Sequence, residues 1–267
     1  MLPINPIARF PSALLLGTLI FIGGTSPPAS ADPVARIAQL TATEFLERGI
    51  ARYERGDTAG AIADFTEALW LKPNYAVAYY NRGVVRFKAE ENVRDAIADF
   101  TEAIHLNPEY VDAYYNRAVA RVKLGQYWPA IDDTTEVIRL DPVHDRAYYL
   151  RGLIYAENLG DYQTGIDDFS EAIRLNPNVA APYFKRGNAR YRTGDREGAI
   201  EDYNEAIYLD PDDPEAYYNR GISRYQIGDR QGARSDLQQS ADLSARSGNL
   251  QQYRQAIDTL KQLIIDN

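Results

Sequence analysis

The sequence contains no cysteine among its 267 residues, and only two histidines, two tryptophans and one methionine. Without cysteine the chain can form no disulfide, no thiolate metal site and no lipid attachment through a thiol. The histidines, His105 and His144, have no second histidine at ligand spacing. We therefore predict no metal and no cofactor, and a solvated surface position for both histidines.

Basic residues are also in deficit, with 29 lysines and arginines against 38 acids and a net charge of −9. An acidic chain repels phosphate backbones, so nucleic-acid binding is disfavoured. The sequence has no Gly-rich phosphate loop and no Ser/His/Asp arrangement. Adjacent acids such as Asp132 and Asp133 point about 100° apart on a helix and do not share a site. We therefore predict that the protein is not an enzyme.

Long apolar runs are missing except near the N-terminus. Residues 1–31 carry one charge, Arg9, an apolar run over 13–22, and the small residues Ala29-Ser30-Ala31. This layout predicts a signal peptide cleaved after Ala31, and hence export to a periplasm, a thylakoid lumen or the exterior. The run is shorter than the roughly 20 residues that span a bilayer. The alternative is an uncleaved anchor formed by residues 12–24. Cleavage would leave 28 bases against 38 acids, a net charge of −10.

Internal repetition dominates the rest of the chain. A phrase of leucine, one polar residue and proline ends at Pro73, Pro108, Pro142, Pro177 and Pro211, with spacings of 35, 34, 35 and 34. Aromatic doublets follow these phrases at Tyr79-Tyr80, Tyr114-Tyr115, Tyr148-Tyr149, Tyr183-Phe184 and Tyr217-Tyr218. A weaker first copy begins at Phe45. A period near 34 with a proline stop predicts six units of two helices each.

Small and large residues alternate between the two helices of each unit. The first helix carries a small residue at Gly49, Gly83, Ala118, Gly152, Gly187 and Gly221, and the second carries a ring at Phe65, Phe100, Phe169 and Tyr203. We expect the small residues to let the two helices approach closely, and the rings to fill the layer between helix pairs. Thr134 replaces the ring in the third unit, which predicts a less filled core. The second and fourth units have one extra residue, which we place in the turn between their helices.

This order of aromatic, glycine, alanine, ring and proline resembles the tetratricopeptide repeat (TPR) across residues 42 to about 247. The resemblance implies an all-α fold, a right-handed superhelical solenoid of helix-turn-helix repeats whose concave face binds proteins or peptides. The predicted parts are a leader over 32–41, repeats at about 42–75, 76–110, 111–144, 145–179, 180–213 and 214–247, and a capping helix over 249–267. The apolar stripe predicted for the capping helix is Leu250, Tyr253, Ile257, Leu260 and Ile264.

Two charged series run through all six units. Arginine recurs at Arg48, Arg82, Arg117, Arg151, Arg186 and Arg220, and aspartate at Asp64, Asp99, Asp133, Asp168, Asp202 and Asp236. One interpretation is a ladder of arginines that binds anions. We favour a structural interpretation, in which each arginine pairs with an aspartate across the hairpin, because the two series always occur together.

The second ring of each doublet falls where the concave face of the family lies, whereas the first is predicted to pack between helices. Aromatic residues with a polar tip are frequent at interfaces, which favours ligand contact by the second ring. The alternative is that the second ring also packs in the core. The predicted peptide-binding groove consists of Tyr80, Asn81, Lys88, Tyr115, Asn116, Lys123, Arg146, Tyr149, Phe184, Lys185, Asn188, Arg192, Tyr218 and Asn219.

Bases outnumber acids in the middle of this groove, so an acidic or C-terminal peptide segment is the expected ligand. The sequence thus predicts a scaffold for protein–protein interaction that assists assembly of an envelope or membrane complex. The alternative is a structural repeat protein that self-associates and has no groove ligand. Membrane contact is expected only if the N-terminal segment stays uncleaved.

Overall fold

The computed structural model describes residues 40–89 and 92–265, and all regular structure in these ranges is helical, in thirteen helices. The all-α prediction is therefore confirmed. The predicted signal peptide and most of the leader lie outside the described residues. Two compact units divide the chain, one with described residues 40–142 and one with 143–265. They are called here the N-terminal body and the C-terminal body.

The N-terminal body contains three helical hairpins. Its helices are α1 (Ala42–Glu54), α2 (Thr58–Leu71), α3 (Ala76–Lys88), α4 (Val93–Leu106), α5 (Val111–Lys123) and α6 (Tyr127–Leu140). Helix α1 begins with a capping box, in which Thr41 Oγ1 accepts from the Glu44 amide and Glu44 accepts from the Thr41 amide. Both contacts satisfy amides that the first turn leaves without partners.

The C-terminal body contains three further hairpins and a final helix. Its helices are α7 (Asp145–Leu153, continued by a π-helical segment, Ile154–Leu159), α8 (Tyr162–Leu175), α9 (Ala180–Thr193), α10 (Arg196–Leu209), α11 (Pro214–Gln226), α12 (Arg230–Arg246) and α13 (Leu250–Ile265). Among the described residues, no helix is both long and apolar enough to cross a membrane.

A Gly-Asp pair builds most of the turns inside the hairpins. Gly194, for example, has a φ of 98°, which a residue with a Cβ atom rarely adopts, and it ends α9. Asp195 then accepts a hydrogen bond from the Gly198 amide and caps α10. Glycine after a helix and aspartate before the next are the residues that each position favours. The local sequence thus fixes where each hairpin turns.

Close packing inside a hairpin depends on the small residue of the first helix. A Cβ atom added to Gly83 would lie 2.8 Å from the Phe100 ring, so no larger residue fits there without a shift. In the α5–α6 hairpin both of these positions differ from the α3–α4 hairpin. Ala118 stands in place of the glycine and adds a methyl group, and Thr134 stands in place of the ring. Both residues are fully buried, and the Thr134 hydroxyl donates to the carbonyls of Ala130 and Ile131. The two changes therefore oppose each other in volume.

The extra residue of the fourth unit does not lie in the turn, and that prediction was wrong. It is absorbed within the first helix, where Ile154–Leu159 widens to a π-helix before Gly160 ends it. A π-helical segment accommodates an inserted residue without breaking the helix. For the second unit, α3 ends at Lys88 and α4 begins at Val93, and residues 90–91 of that connection lie outside the described residues.

The final helix packs on a different stripe from the predicted one. Gln252, Ala256, Thr259 and Leu263 are buried, whereas Leu250 is 64% exposed and Tyr253 is 37% exposed. The half-buried Ile257 and Leu260 flank the buried stripe. The correction has a physical cause, since polar Gln252 and Thr259 are tolerated inside once hydrogen-bonded. Thr259 Oγ1 lies 3.2 Å from the Tyr218 hydroxyl.

Candidate groove and its cations

The recurrent arginines and aspartates form ion pairs within each hairpin. Arg82 Nη2 lies 2.8 Å from Asp99 Oδ1, and Arg186 Nη2 lies 2.7 Å from Asp202 Oδ1. The other four pairs are Arg48–Asp64, Arg117–Asp133, Arg151–Asp168 and Arg220–Asp236. All six carboxylates are buried. The structural interpretation of the two series is therefore confirmed.

Burial and the arginines act on these carboxyl groups in opposite directions. Burial raises the pKa of Asp133, Asp168 and Asp202, while the paired guanidinium groups oppose that rise. A second arginine reaches most of these aspartates, such as Arg121 on Asp133 at 2.7 Å. Tyr155 occupies that position in the α7–α8 hairpin. A buried carboxylate needs such compensation because charge is costly inside a protein.

The first ring of each aromatic doublet supports the paired arginine. The Arg82 guanidinium carbon lies 5.5 Å from the Tyr79 ring centre, and the Arg117 carbon lies 5.4 Å from the Tyr114 ring centre. Arginine also ties successive hairpins of one body together, since Arg117 Nη1 donates to Thr101 Oγ1 of the preceding hairpin. These rings therefore orient the ion pairs in addition to filling space between helices.

Four of the five second rings of the doublets lie in the core rather than on a surface. Tyr80 is fully buried, and Tyr115, Tyr149 and Tyr218 are between 4% and 8% exposed. The Tyr80 ring packs 4.9 Å from the Tyr110 ring, centre to centre. Burial raises the pKa of the Tyr80 hydroxyl well above its usual range. The prediction that these four tyrosines line a ligand surface is therefore wrong. Phe184, half-buried against Tyr203, is the member that retains some exposure.

The predicted groove asparagines are likewise interior, and this placement is corrected too. Asn81, Asn116 and Asn219 are fully buried. Asn116 Nδ2 donates to the Tyr80 hydroxyl at 3.0 Å. Asn219 Nδ2 donates to the half-buried Asn188 at 2.9 Å. Each of these bonds joins one hairpin to the next within its body. Their amides therefore specify how hairpins stack, because a buried amide must be hydrogen-bonded.

The predicted cations of the N-terminal body remain at the surface. Lys88 and Lys123 are exposed, and each ammonium lies over an aromatic ring of the preceding hairpin. Lys88 Nζ lies 5.7 Å from the Tyr53 ring centre, and Lys123 Nζ lies 5.4 Å from the Phe87 ring centre. Lysine stems cover apolar surface while their charge stays in water. We call Tyr53, Phe87, Lys88 and Lys123 the lysine–ring face.

The cations of the C-terminal body have a different environment. Lys185 Nζ lies 2.5 Å from Glu157 Oε1, and its side chain is only 11% exposed. Arg192 is exposed and lies 5.2 Å from the Tyr162 ring centre. Arg146 is exposed on the first turn of α7. Lys185, the most enclosed of these three cations, is thus already paired with an acid.

Two rings of the lysine–ring face were missed by the sequence analysis. Tyr53 and Phe87 directly follow Arg52 and Arg86, the second arginines of their hairpins, and Tyr191 and Tyr225 stand at the same offset. That recurrence was the available signal. The aromatic doublets give a stronger signal because they recur more regularly along the chain.

No cluster of three or more His, Asp or Glu side chains with metal-binding geometry occurs among the described residues. His105 is exposed, as predicted. His144 is half-buried, and its Nδ1 accepts a hydrogen bond from the Ala147 amide at 3.1 Å. His144 therefore serves as the N-cap of α7 rather than as a simple solvated side chain.

Comparison with known proteins identifies the family. Models described as TPR repeat match residues 49–90, 87–125 and 187–228, and tetratricopeptide repeat models match 145–179 and 215–247. Together these matches cover more than half of the chain. Among curated proteins, none matches the sequence.

Solved structures share the fold. MamA is 25% identical, with a TM-score of 0.59 over 61% of this chain and 94% of that one. YrrB, described as a TPR protein with an unusual peptide-binding site, is 21% identical, with a TM-score of 0.63 over 74% and 97%. Pseudomonas aeruginosa PilF is 19% identical, with a TM-score of 0.66 over 80% and 95%. TPR proteins generally mediate protein–protein interaction and are typically not enzymes, and this chain belongs to the tetratricopeptide repeat family.

Proposed function

We propose that this protein is a non-enzymatic scaffold that binds an extended segment of a partner protein, with the lysine–ring face as the principal contact. The observation that carries the proposal is the pair of exposed ammonium groups held over rings at 5.7 and 5.4 Å. Aromatic rings hold lysine side chains in place, so less conformational entropy is lost when a ligand binds. The family membership favours binding over catalysis.

The ligand of this face is an acidic or C-terminal peptide segment. A carboxylate accepts charge-assisted hydrogen bonds from an ammonium group, and these are stronger than neutral ones. The faces of Tyr53 and Phe87 offer apolar contact beside each charge. Arg146, Lys185 and Arg192 extend the proposal to the C-terminal body, where Glu157 competes with the ligand for Lys185.

Export and a role in assembling an envelope or membrane complex belong to the same proposal. They rest on the layout of residues 1–31 and on the predicted cleavage after Ala31. An extended segment that folds onto a scaffold pays an ordering cost on binding. We therefore expect an affinity on the order of micromolar.

Charge reversal of the lysine–ring face tests the proposal. The double variant Lys88→Glu/Lys123→Glu should lower capture of partners from extracts of the native cell by at least about tenfold, because two attractions become repulsions. Lys261→Glu is the matched control, since Lys261 is an exposed lysine on α13. Capture is measured by mass spectrometry of crosslinked peptides.

Equal capture by the double variant and the wild type would remove this face from consideration. A partner peptide without acidic residues or a C-terminal carboxylate would contradict the assigned ligand chemistry. Alanine substitutions at Tyr115 or Tyr149 do not serve as binding tests, because both rings are buried and their removal would destabilise the fold.

A further inference from the structure

The outer face of α2 carries fewer exposed charges than that of any other second helix. Its exposed residues are Ala59, Ala63, Thr66, Glu67, Trp70 and Leu71, with Glu67 the only charge. Trp70 is 76% exposed and Leu71 is 43% exposed. A helix that is apolar on its outer face as well as its inner face is normally covered.

Most of the corresponding positions are polar in the other second helices, although α4 keeps an alanine, Ala98, and α6 carries an exposed tryptophan, Trp128, at the position of Ala59. Where α2 has Ala59, Ala63 and Trp70, α4 has Arg94, Ala98 and His105. Helix α8 has Gln163, Asp167 and Arg174 there, and α10 has Glu197, Glu201 and Tyr208. The repeat therefore does not require an apolar outer face. The apolar outer face of α2 therefore needs an explanation other than the repeat itself.

The face is complementary to itself. Ala59, Ala63, Thr66 and Trp70 are spaced by four, three and four residues, so they form one stripe along the helix. The side chains of the stripe are small at its N-terminal end and large at its C-terminal end. An antiparallel pair of α2 helices, related by a two-fold axis between residues 64 and 65, sets Trp70 against Ala59 of the second copy and Ala63 against Thr66 of the second copy.

Charge complementarity follows the same axis. It sets Lys72, just after α2, opposite Asp57 of the second copy, just before α2. Both residues are exposed, and Asp57 has a side chain 54% accessible. Within its own chain Asp57 accepts a hydrogen bond from the Gly60 amide and lies 3.7 Å from Arg52, so Lys72 of the second copy adds a further cation beside it. One axis thus satisfies the apolar pair, the small pair and the charged pair.

We propose that α2 is the interface through which two copies of this chain form a two-fold symmetric dimer. One helix pair buries less than the roughly 1,200 Å² of a stable interface. The dimer is therefore weak, with a dissociation constant in the micromolar range or above. The surface lies on a second helix, whereas the lysine–ring face lies on first helices. Dimerisation therefore goes beyond the proposed ligand binding and does not depend on it.

Sedimentation velocity of the full chain over about 1–300 µM tests the dimer. The weight-average mass should rise from monomer towards dimer with concentration. Trp70→Ala and Ala63→Glu should each weaken dimerisation at least about tenfold, because one removes the large partner and the other places a charge on the axis. Trp128→Ala and Ala98→Glu are matched controls at exposed positions of α6 and α4, and they should dimerise like the wild type.

Cysteine cross-linking tests the register, since the natural chain has no thiol. A mixture of Ala63→Cys and Thr66→Cys chains should oxidise to a mixed disulfide faster than a mixture of Ala98→Cys and Thr66→Cys chains. Equal rates in the two mixtures would contradict the proposed axis.

Fluorescence distinguishes burial of Trp70 in a dimer from burial of Trp70 by another segment of the same chain. Trp128→Phe leaves Trp70 as the sole tryptophan, and its emission should shift to the blue as concentration rises. A blue-shifted emission that does not change with concentration would mean that a segment of the same chain covers Trp70, which would overturn the proposal. A monomer at every concentration, or equal weakening by the controls, would overturn it as well.

Discussion

The two bodies use the same hairpin but complete it differently. In the N-terminal body, Asp133 pairs with both Arg117 and Arg121, and Lys88 and Lys123 are exposed and lie over aromatic rings. In the α7–α8 hairpin of the C-terminal body, Asp168 pairs with Arg151 and Tyr155 replaces the second arginine, which the other two hairpins of that body keep. Lys185 of the same body is bound to Glu157. The comparison teaches that the ion pairs recur with the fold, whereas the environment of the other cations differs from one body to the other.

The largest expected difference concerns the arginines of the α5–α6 and α7–α8 hairpins, one from each body. Arg151→Ala should lower the free energy of unfolding by about 3–5 kcal/mol, because it removes the main guanidinium compensation from buried Asp168. Arg117→Ala should cost less, about 1–2 kcal/mol, because Arg121 still pairs with Asp133. Urea unfolding followed by circular dichroism measures both. Equal losses would show that the second arginine adds nothing.

A double-mutant cycle on the α5–α6 hairpin should show an intermediate effect. Thr134→Phe alone should destabilise by about 1–3 kcal/mol, because the ring meets the Ala118 methyl group. Adding Ala118→Gly should recover much of that loss, since it reproduces the glycine and ring found at Gly83 and Phe100. The coupling energy is expected at about 1–3 kcal/mol. Purely additive effects would contradict the account of paired volumes.

The smallest expected effect concerns the Glu157–Lys185 pair. Glu157→Gln should change the free energy of unfolding by no more than about 1 kcal/mol, because the pair is partly exposed. It should nevertheless strengthen binding of an acidic segment to the C-terminal body several-fold, since Lys185 loses its competing partner. Peptide binding measured at two salt concentrations checks this, with Glu171→Gln as a control on an outer pair. Unchanged binding would show that Lys185 is not a ligand contact.

The sequence predicted the repeating parts of the fold well. The proline phrases predicted two helices between successive prolines, and α3 and α4 lie between Pro73 and Pro108, because turn and stop signals act locally. The arginine and aspartate series also predicted their pairing, since both recur in every unit. The count of six repeats and the signal peptide remain predictions.

The errors have a common physical origin in burial by neighbouring hairpins. Tyr80 and Asn116 were placed on a surface, but both are buried, and they are hydrogen-bonded to each other between adjacent hairpins. Offset along one helix does not reveal how tightly adjacent hairpins stack. The stripe of α13 was missed for a related reason, because alanine, glutamine and threonine carry little hydrophobic signal. The extra residue of the fourth unit entered a π-helix, which no turn signal could disclose.

The most direct test of the central claim is site-specific photo-crosslinking in the native cell. A photoreactive residue is placed at Lys88, at Lys123, or at the outer position Arg174, which is exposed on α8. The account predicts that positions 88 and 123 crosslink to one acidic or C-terminal segment of the same partner and that position 174 does not. Crosslinks of equal yield from all three positions, or none from 88 and 123, would contradict a ligand-binding lysine–ring face.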